Sequence, residues 1–354
     1  MQQFQVNKQD LSINRVASGS SETLTNEGIS FEVERFAFTA NNLTYFMVGE
    51  KLGYWQFFPP IDNRADENWG IIPVWGIGKV VASNNSLVEV GSRYFGYFPP
   101  ATYLHMNSIA LAQGNLIDTS AHRKPLPQGY NLYRPLEQTQ GGKQAHIENL
   151  QMLLWPLYIT SYCLWDLIEQ SSAKPEQVVV LSASSKTSLG LAHALKKSGY
   201  HTIGITSSKN ESFVSELNIY SEVLHYDGIE YLSSKQTIVV DMSGNAKVKN
   251  ELKAKLGGAL MRYVQVGLTH WQDAVEDEDG EFFFAPAHIQ ARIAELGAQT
   301  FHTQSGAFIK EAMMWSASWL NVKEQSGIHT LADDFYAICK GDIPANVGLV
   351  YTPS

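Results

Sequence analysis

Cysteine is nearly absent: Cys163 and Cys339 are the only two in 354 residues, and each stands alone in sequence. That count excludes a zinc site built on several thiolates and a disulfide framework. A single Cys163–Cys339 bridge stays open, and two lone thiols fit a reducing compartment, the cytoplasm, at least as well. Positive charge is scarce as well, with 26 Lys+Arg against 35 Asp+Glu, a net of −9, and no basic cluster. Such a chain offers no electrostatic footprint to a phosphate backbone, so nucleic acid is not expected as a partner. Long apolar runs are also missing. The most apolar stretch, 150–167, is broken by Pro156, Thr160, Ser161 and Asp166 and has no basic flank. It reads as a buried helix, so no membrane is expected as a partner. The opening residues, Met1-Gln2-Gln3-Phe4-Gln5, lack the basic and apolar regions of a signal peptide. The composition, 44% hydrophobic and 17% charged, is that of a globular chain long enough for about two domains.

Residues 1 to 140 are rich in Gly, Pro, aromatic and β-branched residues. Extended runs at 29–38 (ISFEVERFAF), 79–82 (KVVA), 87–90 and 93–98, separated by turn formers, predict a mostly β barrel or sandwich. Residues 105–145 show weak periodicity and many turn formers, and read as a long surface excursion. The pattern changes at 147, where a long helix is predicted over 147–170. Strands at 178–181, 201–206, 222–225, 237–241 and 262–266 then alternate with helices, including 211–217 and 246–256. Continuous apolar strands alternating with helices predict a parallel, doubly wound sheet. Helices near 308–320 and 331–339 and a strand near 348–351 close the chain.

In such a sheet, ligands sit at the carboxyl ends of the strands, where phosphates meet a helix N-terminus. The turn after the first strand is Ser182-Ala183-Ser184-Ser185-Lys186-Thr187-Ser188-Leu189-Gly190, in which hydroxyls surround one lysine. These are anion-compatible donors; the other reading is a helix-capping cluster with a solvated lysine. The second strand ends in Ser207-Ser208-Lys209, where an NAD-selective site carries an acid. Hydroxyls and a lysine there accommodate a 2′-phosphate, and so NADPH over NADH; a plain solvated turn is the other reading. Ser243-Gly244 and Val266-Gly267 end later strands, at junctions suited either to a nicotinamide or to an ordinary tight turn. The acidic run 276–281 reads as a solvated loop, and His105, His146, His270 and His302 show no metal-like pairing.

Several segments together resemble the medium-chain dehydrogenase/reductase superfamily, in its zinc-free quinone oxidoreductase and enoyl reductase branch. They are Phe38-Thr39-Ala40-Asn41-Asn42-Leu43-Thr44-Tyr45, the stretch 74–96 ending Gly91-Ser92-Arg93-Tyr94-Phe95-Gly96, and Leu157-Tyr158-Ile159-Thr160-Ser161-Tyr162. The two strand–helix steps at 178–199 and 201–226 complete the likeness, and only 103–145 has no counterpart. Residues 53–59, 73–76 and 182–189 are similar, more narrowly, to a family of unknown function within that superfamily. The family's A-A-x-G-G-V-G turn corresponds to 184–190, with both internal glycines replaced, by Thr187 and Ser188. Neither cysteine matches a family zinc ligand.

The resemblance implies an α/β chain with a GroES-like β-rich domain (1–145 and 303–354) and a Rossmann-type doubly wound parallel sheet (146–302). It implies an NADPH-dependent, metal-independent reductase of a small carbonyl, enone or quinone, and a homodimer whose sheet edge 259–266 would supply. The cofactor-binding set is Thr160, Ser184, Lys186, Thr187, Ser188, Leu189, Ser207, Ser208, Lys209, Ser243, Gly244, Val266 and Gly267. Asn42, Tyr45 and Tyr54 are the catalytic candidates: Asn42 to orient a carboxamide or substrate oxygen, Tyr45 to donate its phenolic proton, and Tyr54 in the aromatic run that would line the substrate cleft. Each also reads as structural, Asn42 as a cap or turn residue and the tyrosines as core aromatics. Tyr54, Trp55, Phe57, Phe58, Tyr94, Phe95, Tyr97 and Phe98 fit a flat apolar cleft, or a plain core, and 130–133 a cap over it. Two other functions stand beside reduction: a nucleotide sensor or assembly partner on a dehydrogenase-like fold, and transfer of an acyl or similar group.

Overall fold

The structure is a computed structural model and describes residues 1–20, 23–61, 68–137, 141–266 and 281–354. The chain divides into two compact units, Met1–Leu153 with Leu320–Ser354, and Leu154–Trp319. The first unit begins with β1 (Gln2–Asn7), β2 (Asp10–Ser18), β3 (Ile29–Phe38), α1 (Ala40–Met47), β4 (Trp69–Gly70) and β5 (Val74–Ser83). It continues through β6 (Arg93–Phe98), β7 (Tyr103–Met106), β8 (Ile109–Ala112), β9 (Asn115–Asp118), β10 (Leu132–Leu136) and the first part of α2 (Gly142–Glu169). The second unit holds β11 (Gln177–Leu181), α3 (Lys186–Lys197), β12 (Thr202–Thr206), α4 (Glu211–Glu216), β13 (Glu222–His225) and β14 (Thr237–Asp241). It ends with α5 (Ala246–Leu256), β15 (Leu260–Gln265), β16 (Glu281–Phe282), α6 (Ala285–Leu296) and α7 (Ala298–Ser316). The chain then returns to the first unit as β17 (Asn321–Ser326), α8 (Ile328–Lys340) and β18 (Val347–Thr352).

In the first unit the larger sheet has the order β17-β18-β3-β5-β6-β10-β9-β8, with β7 also on β3, and β2-β1-β4 forms a smaller one. The C-terminal return is held by apolar contact and by register. β18 runs antiparallel to β3, and Phe335 of α8 meets Phe4 at 5.1 Å and Phe38 at 5.8 Å, edge to face. The predicted excursion over 105–145 is instead built of strands. β7 to β10 are only four or five residues long, too short to show a period. Their connection is pinned by Arg123, only 1% exposed, which donates to Asp118 Oδ2 (2.6 Å), Asn131 Oδ1 (2.9 Å) and the Tyr130 carbonyl (2.8 Å). The predicted run at 87–90 is a turn, and its Leu87 and Val90 are exposed.

In the second unit all strands are parallel, in the order β13-β12-β11-β14-β15-β16. Numbered within the unit this is 3-2-1-4-5-6, the doubly wound order whose switch point lies between β11 and β14. Every residue of β11, β12 and β14 is buried, which is why these strands read as unbroken apolar runs. β15 is not the free edge expected of 259–266, because Val264 and Gln265 pair with Glu281 and Phe282 of β16.

The unit boundaries also differ from those read in the sequence, for identifiable reasons. Glu148, near the start of α2, is buried against Arg93 of β6 (2.9 Å) and Arg35 of β3 (2.6 Å), which assigns residues 142–153 to the first unit. α7 starts at Ala298, earlier than the predicted helix, and its Ser316 hydroxyl lies 2.5 Å from that of Tyr158 within the second unit. Both thiols are free, Cys163 buried and Cys339 half-buried. Among the described residues, no helix is long and apolar enough to cross a membrane.

Candidate functional site

The turn from β11 into α3 lies at the carboxyl end of the central strand. Ser182 adopts a left-handed φ of 51°, a conformation that usually selects glycine. Its N–H donates to the Tyr226 hydroxyl at 3.0 Å. The Tyr220 hydroxyl donates to the Ala183 carbonyl at 2.9 Å and lies 3.3 Å from that of Ser188. Ser185 is the N-cap of α3: its Oγ accepts the Ser188 N–H at 3.1 Å and donates to Ser188 Oγ at 2.8 Å. Ser188 is fully buried and passes its own hydroxyl to the Leu181 carbonyl. Leu189 faces the core, and its N–H is bonded to Ser185. Ser184 Oγ accepts from Asn210 Nδ2 at 3.0 Å, which ties the ends of β11 and β12 together. Among the described residues, the N–H groups of Ser184 and Thr187 meet no acceptor. Lys186 is half-buried, and burial pushes its ammonium down to about 8. Thr160 donates within α2 to Pro156; the neighbouring Ser161 is the residue that touches the turn, donating to the Thr187 carbonyl at 2.8 Å. Gly190 lets α3 approach α2: a Cβ there would stand 2.7 Å from the Tyr158 ring.

At the end of β12, Ser207, Ser208 and Lys209 are exposed. The first acid beyond them, Glu211, turns its Oε2 to within 2.8 Å of His225 Nε2 at the end of β13. At the end of β14, Asp241 is buried and organises the next turn. Its Oδ1 accepts from Ser243 N–H (2.7 Å), Ser243 Oγ (2.7 Å) and Gly244 N–H (3.1 Å), and its Oδ2 from the Tyr263 hydroxyl (2.8 Å). Val266 donates its N–H to the Asp241 carbonyl at 2.8 Å. Gly267 and residues 276–280 of the acidic run lie outside the described residues; Glu281 pairs with Arg262 at 2.6 Å. Sequence reasoning missed Tyr220, Tyr226, Asn210, Ser161 and Asp241. Only Asp241, ending an apolar strand, carried a visible signal.

The catalytic candidates lie in the first unit. Asn42 sits at the third position of α1 and closes a capping box: its Oδ1 accepts the Thr39 N–H at 2.8 Å, and its Nδ2 donates to the Pro73 carbonyl at 2.8 Å. Its amide therefore holds the start of α1 from the third helical position, Thr39 being the N-cap. Tyr45 and Tyr54 are brought together, with ring centroids 4.6 Å apart. Tyr45 Oη accepts from Asn41 Nδ2 (2.9 Å) and Trp75 Nε1 (3.3 Å), and the hydroxyls of Tyr54 and Tyr130 are 2.9 Å apart. Tyr97 lies against Tyr130, tilted, with centroids 4.7 Å apart, and Phe57 packs edge-on to Tyr97 at 5.1 Å. Burial pushes the phenols of Tyr45, Tyr54, Tyr97 and Tyr130 upward, so the cluster is a set of neutral donors.

A family model described as "Protein of unknown function (DUF2855)" matches residues 36–344. The chain belongs to this family. No curated protein matches the DUF2855 chain. Among solved structures it is similar to CurA from Vibrio vulnificus in complex with NADPH, at 12% identity over 100% of this chain and 99% of that one, with a TM-score of 0.63. It is similar to Escherichia coli quinone oxidoreductase complexed with NADPH, at 13% identity, full coverage of both chains (100% and 100%) and a TM-score of 0.62. Mycobacterial Rv1454c complexed with NADPH matches at 14% identity, again 100% of both chains, with a TM-score of 0.60. The shared fold is a GroES-like β-rich part with a Rossmann-type parallel sheet.

Proposed function

We propose that this DUF2855 protein is an NADPH-dependent oxidoreductase that reduces a small carbonyl, enone or quinone by hydride transfer, without a metal. The observation that carries the reading is the 3-2-1-4-5-6 sheet with hydroxyl and lysine donors, rather than an acid, directly at the ends of its first two strands. The residues fit the cofactor. The open N–H groups of Ser184 and Thr187, with the Lys186 ammonium, suit a diphosphate at the start of α3. Ser207, Ser208 and Lys209 suit a 2′-phosphate, while the Glu211 carboxylate is turned toward His225, its Oε2 2.8 Å from Nε2. Ser243, Gly244 and Val266 would flank the nicotinamide half, with Thr160 on α2. Bound NADPH supplies a hydride from its nicotinamide C4. Tyr45 and Tyr54, neutral at physiological pH, act as hydrogen-bond donors to the carbonyl oxygen, and Asn42 keeps α1 in place beneath them. Neither cysteine is a candidate zinc ligand: Cys163 is buried in the α2 core, where its thiol is pushed well up, and Cys339 lies on α8.

A second reading, a nucleotide sensor or assembly partner, is favoured by one observation: the turn has Thr187 and Ser188 where the relatives' pattern has glycines. Parallel titrations with NADPH and NADH, followed through the eight tryptophans, test the first reading. The expected result is NADPH binding about tenfold tighter than NADH, a difference of about 1.4 kcal/mol, and turnover in a quinone and enone screen. No binding of either nucleotide at millimolar concentration overturns it. Tight NADPH binding with no turnover transfers the weight to the sensor.

A further inference from the structure

The turn after β11 lacks glycine between Ser182 and Leu189, yet its backbone is held by side chains from beyond it in sequence. Tyr226 accepts the N–H of Ser182, the residue with positive φ. Tyr220 takes the Ala183 carbonyl at 2.9 Å and reaches the Ser188 carbonyl at 3.3 Å. The two tyrosines flank β13, one shortly before it and one directly after. Space for the Tyr220 ring comes from Gly204 in β12, where a Cβ would stand 2.9 Å from it. These contacts matter for an anion. A serine at positive φ leaves that conformation readily unless something holds it. Carbonyl oxygens loose in the turn would repel a phosphate, and Tyr220 holds two of them. Among the described residues, the backbone N–H groups of Ser184 and Thr187 meet no acceptor and are left for an anion.

We infer that Tyr220 and Tyr226 are positioning residues for the diphosphate of a bound dinucleotide, their hydroxyls setting the turn's backbone where glycines do so in the relatives' pattern. The inference rests on the nucleotide reading above. Neither tyrosine reacts; each acts through the backbone of the turn. Phenylalanine at either position keeps the ring and removes only the hydroxyl. Calorimetric titration of the full chain, with Tyr226→Phe and Tyr220→Phe as variants, compares NADPH with adenosine 2′-monophosphate, which carries no diphosphate. Both variants are expected to bind NADPH about fivefold more weakly, the effect of one backbone hydrogen bond each. Adenosine 2′-monophosphate should bind them as it binds the unaltered protein, since its contacts lie at the end of β12. Equal weakening of both ligands would indicate general loosening and overturn the inference, as would unchanged NADPH affinity in both variants. Tyr226, the less buried of the two, keeps the test open should Tyr220→Phe fail to fold. If the unaltered protein binds neither ligand, the nucleotide reading itself fails, an outcome distinct from loss of the brace alone.

Discussion

Arg93 and Glu148 are joined by two hydrogen bonds of 2.9 Å, one from each terminal guanidinium nitrogen. Glu148 is fully buried and also receives Arg35 at 2.6 Å, so one carboxylate ties β3, β6 and α2 together. Burial raises its pKa, but the two guanidinium groups outweigh burial and hold the carboxyl below its ordinary 4.5. Glu148→Gln leaves the arginines without their shared counter-charge and is expected to destabilise the fold by roughly 3 kcal/mol in denaturant titration. Because the folded-state pKa is the lower one, the stabilisation is complete above pH 4.5 and fades as pH falls through the depressed value. The variant should therefore show a shallower loss of stability in acid than the unaltered protein.

Gly190 is where α3 touches α2. Its replacement by alanine places a methyl 2.7 Å from the Tyr158 ring and 2.8 Å from Ser161 Oγ. Overpacking of this kind costs about 1–3 kcal/mol, more than the ~1 kcal/mol that alanine returns through helix propensity. Calorimetry should show a lower Tm for Gly190→Ala.

Lys209 follows Ser207 and Ser208 at the end of β12 and is exposed. Lys209→Ala is expected to weaken NADPH about fivefold and leave NADH unchanged, since only the former presents a 2′-phosphate to a charge-assisted bond. Equal loss for both nucleotides would remove Lys209 from the 2′-phosphate site.

Burial pushes Lys186 down to about 8, so the free protein loses this charge just above neutral pH. A phosphate favours the protonated amine and raises its pKa in the complex. Affinity for NADPH is therefore expected to be full below pH 8 and to weaken as pH rises through it. Lys186→Met should bind more weakly and flatten that profile between about pH 7 and 9.

Tyr45 keeps a neutral phenol that already accepts from Asn41 and Trp75, leaving its own proton to donate. Tyr45→Phe is expected to lower kcat by about a hundredfold with NADPH affinity unchanged, the mark of a proton donor rather than a cofactor contact. Unchanged turnover would return Tyr45 to the aromatic core.

The parallel sheet could be read directly from the chain. The runs at 222–225, 237–241 and 246–256 coincide with β13, β14 and α5, since strand and helix periods are local signals and a strand buried throughout, as β14 is, reads as a continuous apolar run. The hydroxyl-rich ends of β11 and β12 were legible for the same reason: position in a βαβ series gives an otherwise weak motif its meaning. What tertiary structure alone decided was pairing and engagement. β8 and β9 form a local hairpin, but β7 and β10 are strands because distant β3 and β6 complete their hydrogen bonds, and β15 loses its edge because β16 returns to it. Asn42 is held by Pro73, Ser188 by Leu181 and Ser182 by Tyr226, from separations that composition and spacing do not reveal. A local pattern fixes which residues are apolar and which can bond; which donor meets which acceptor is settled only when the folded chain brings them within 3 Å or so.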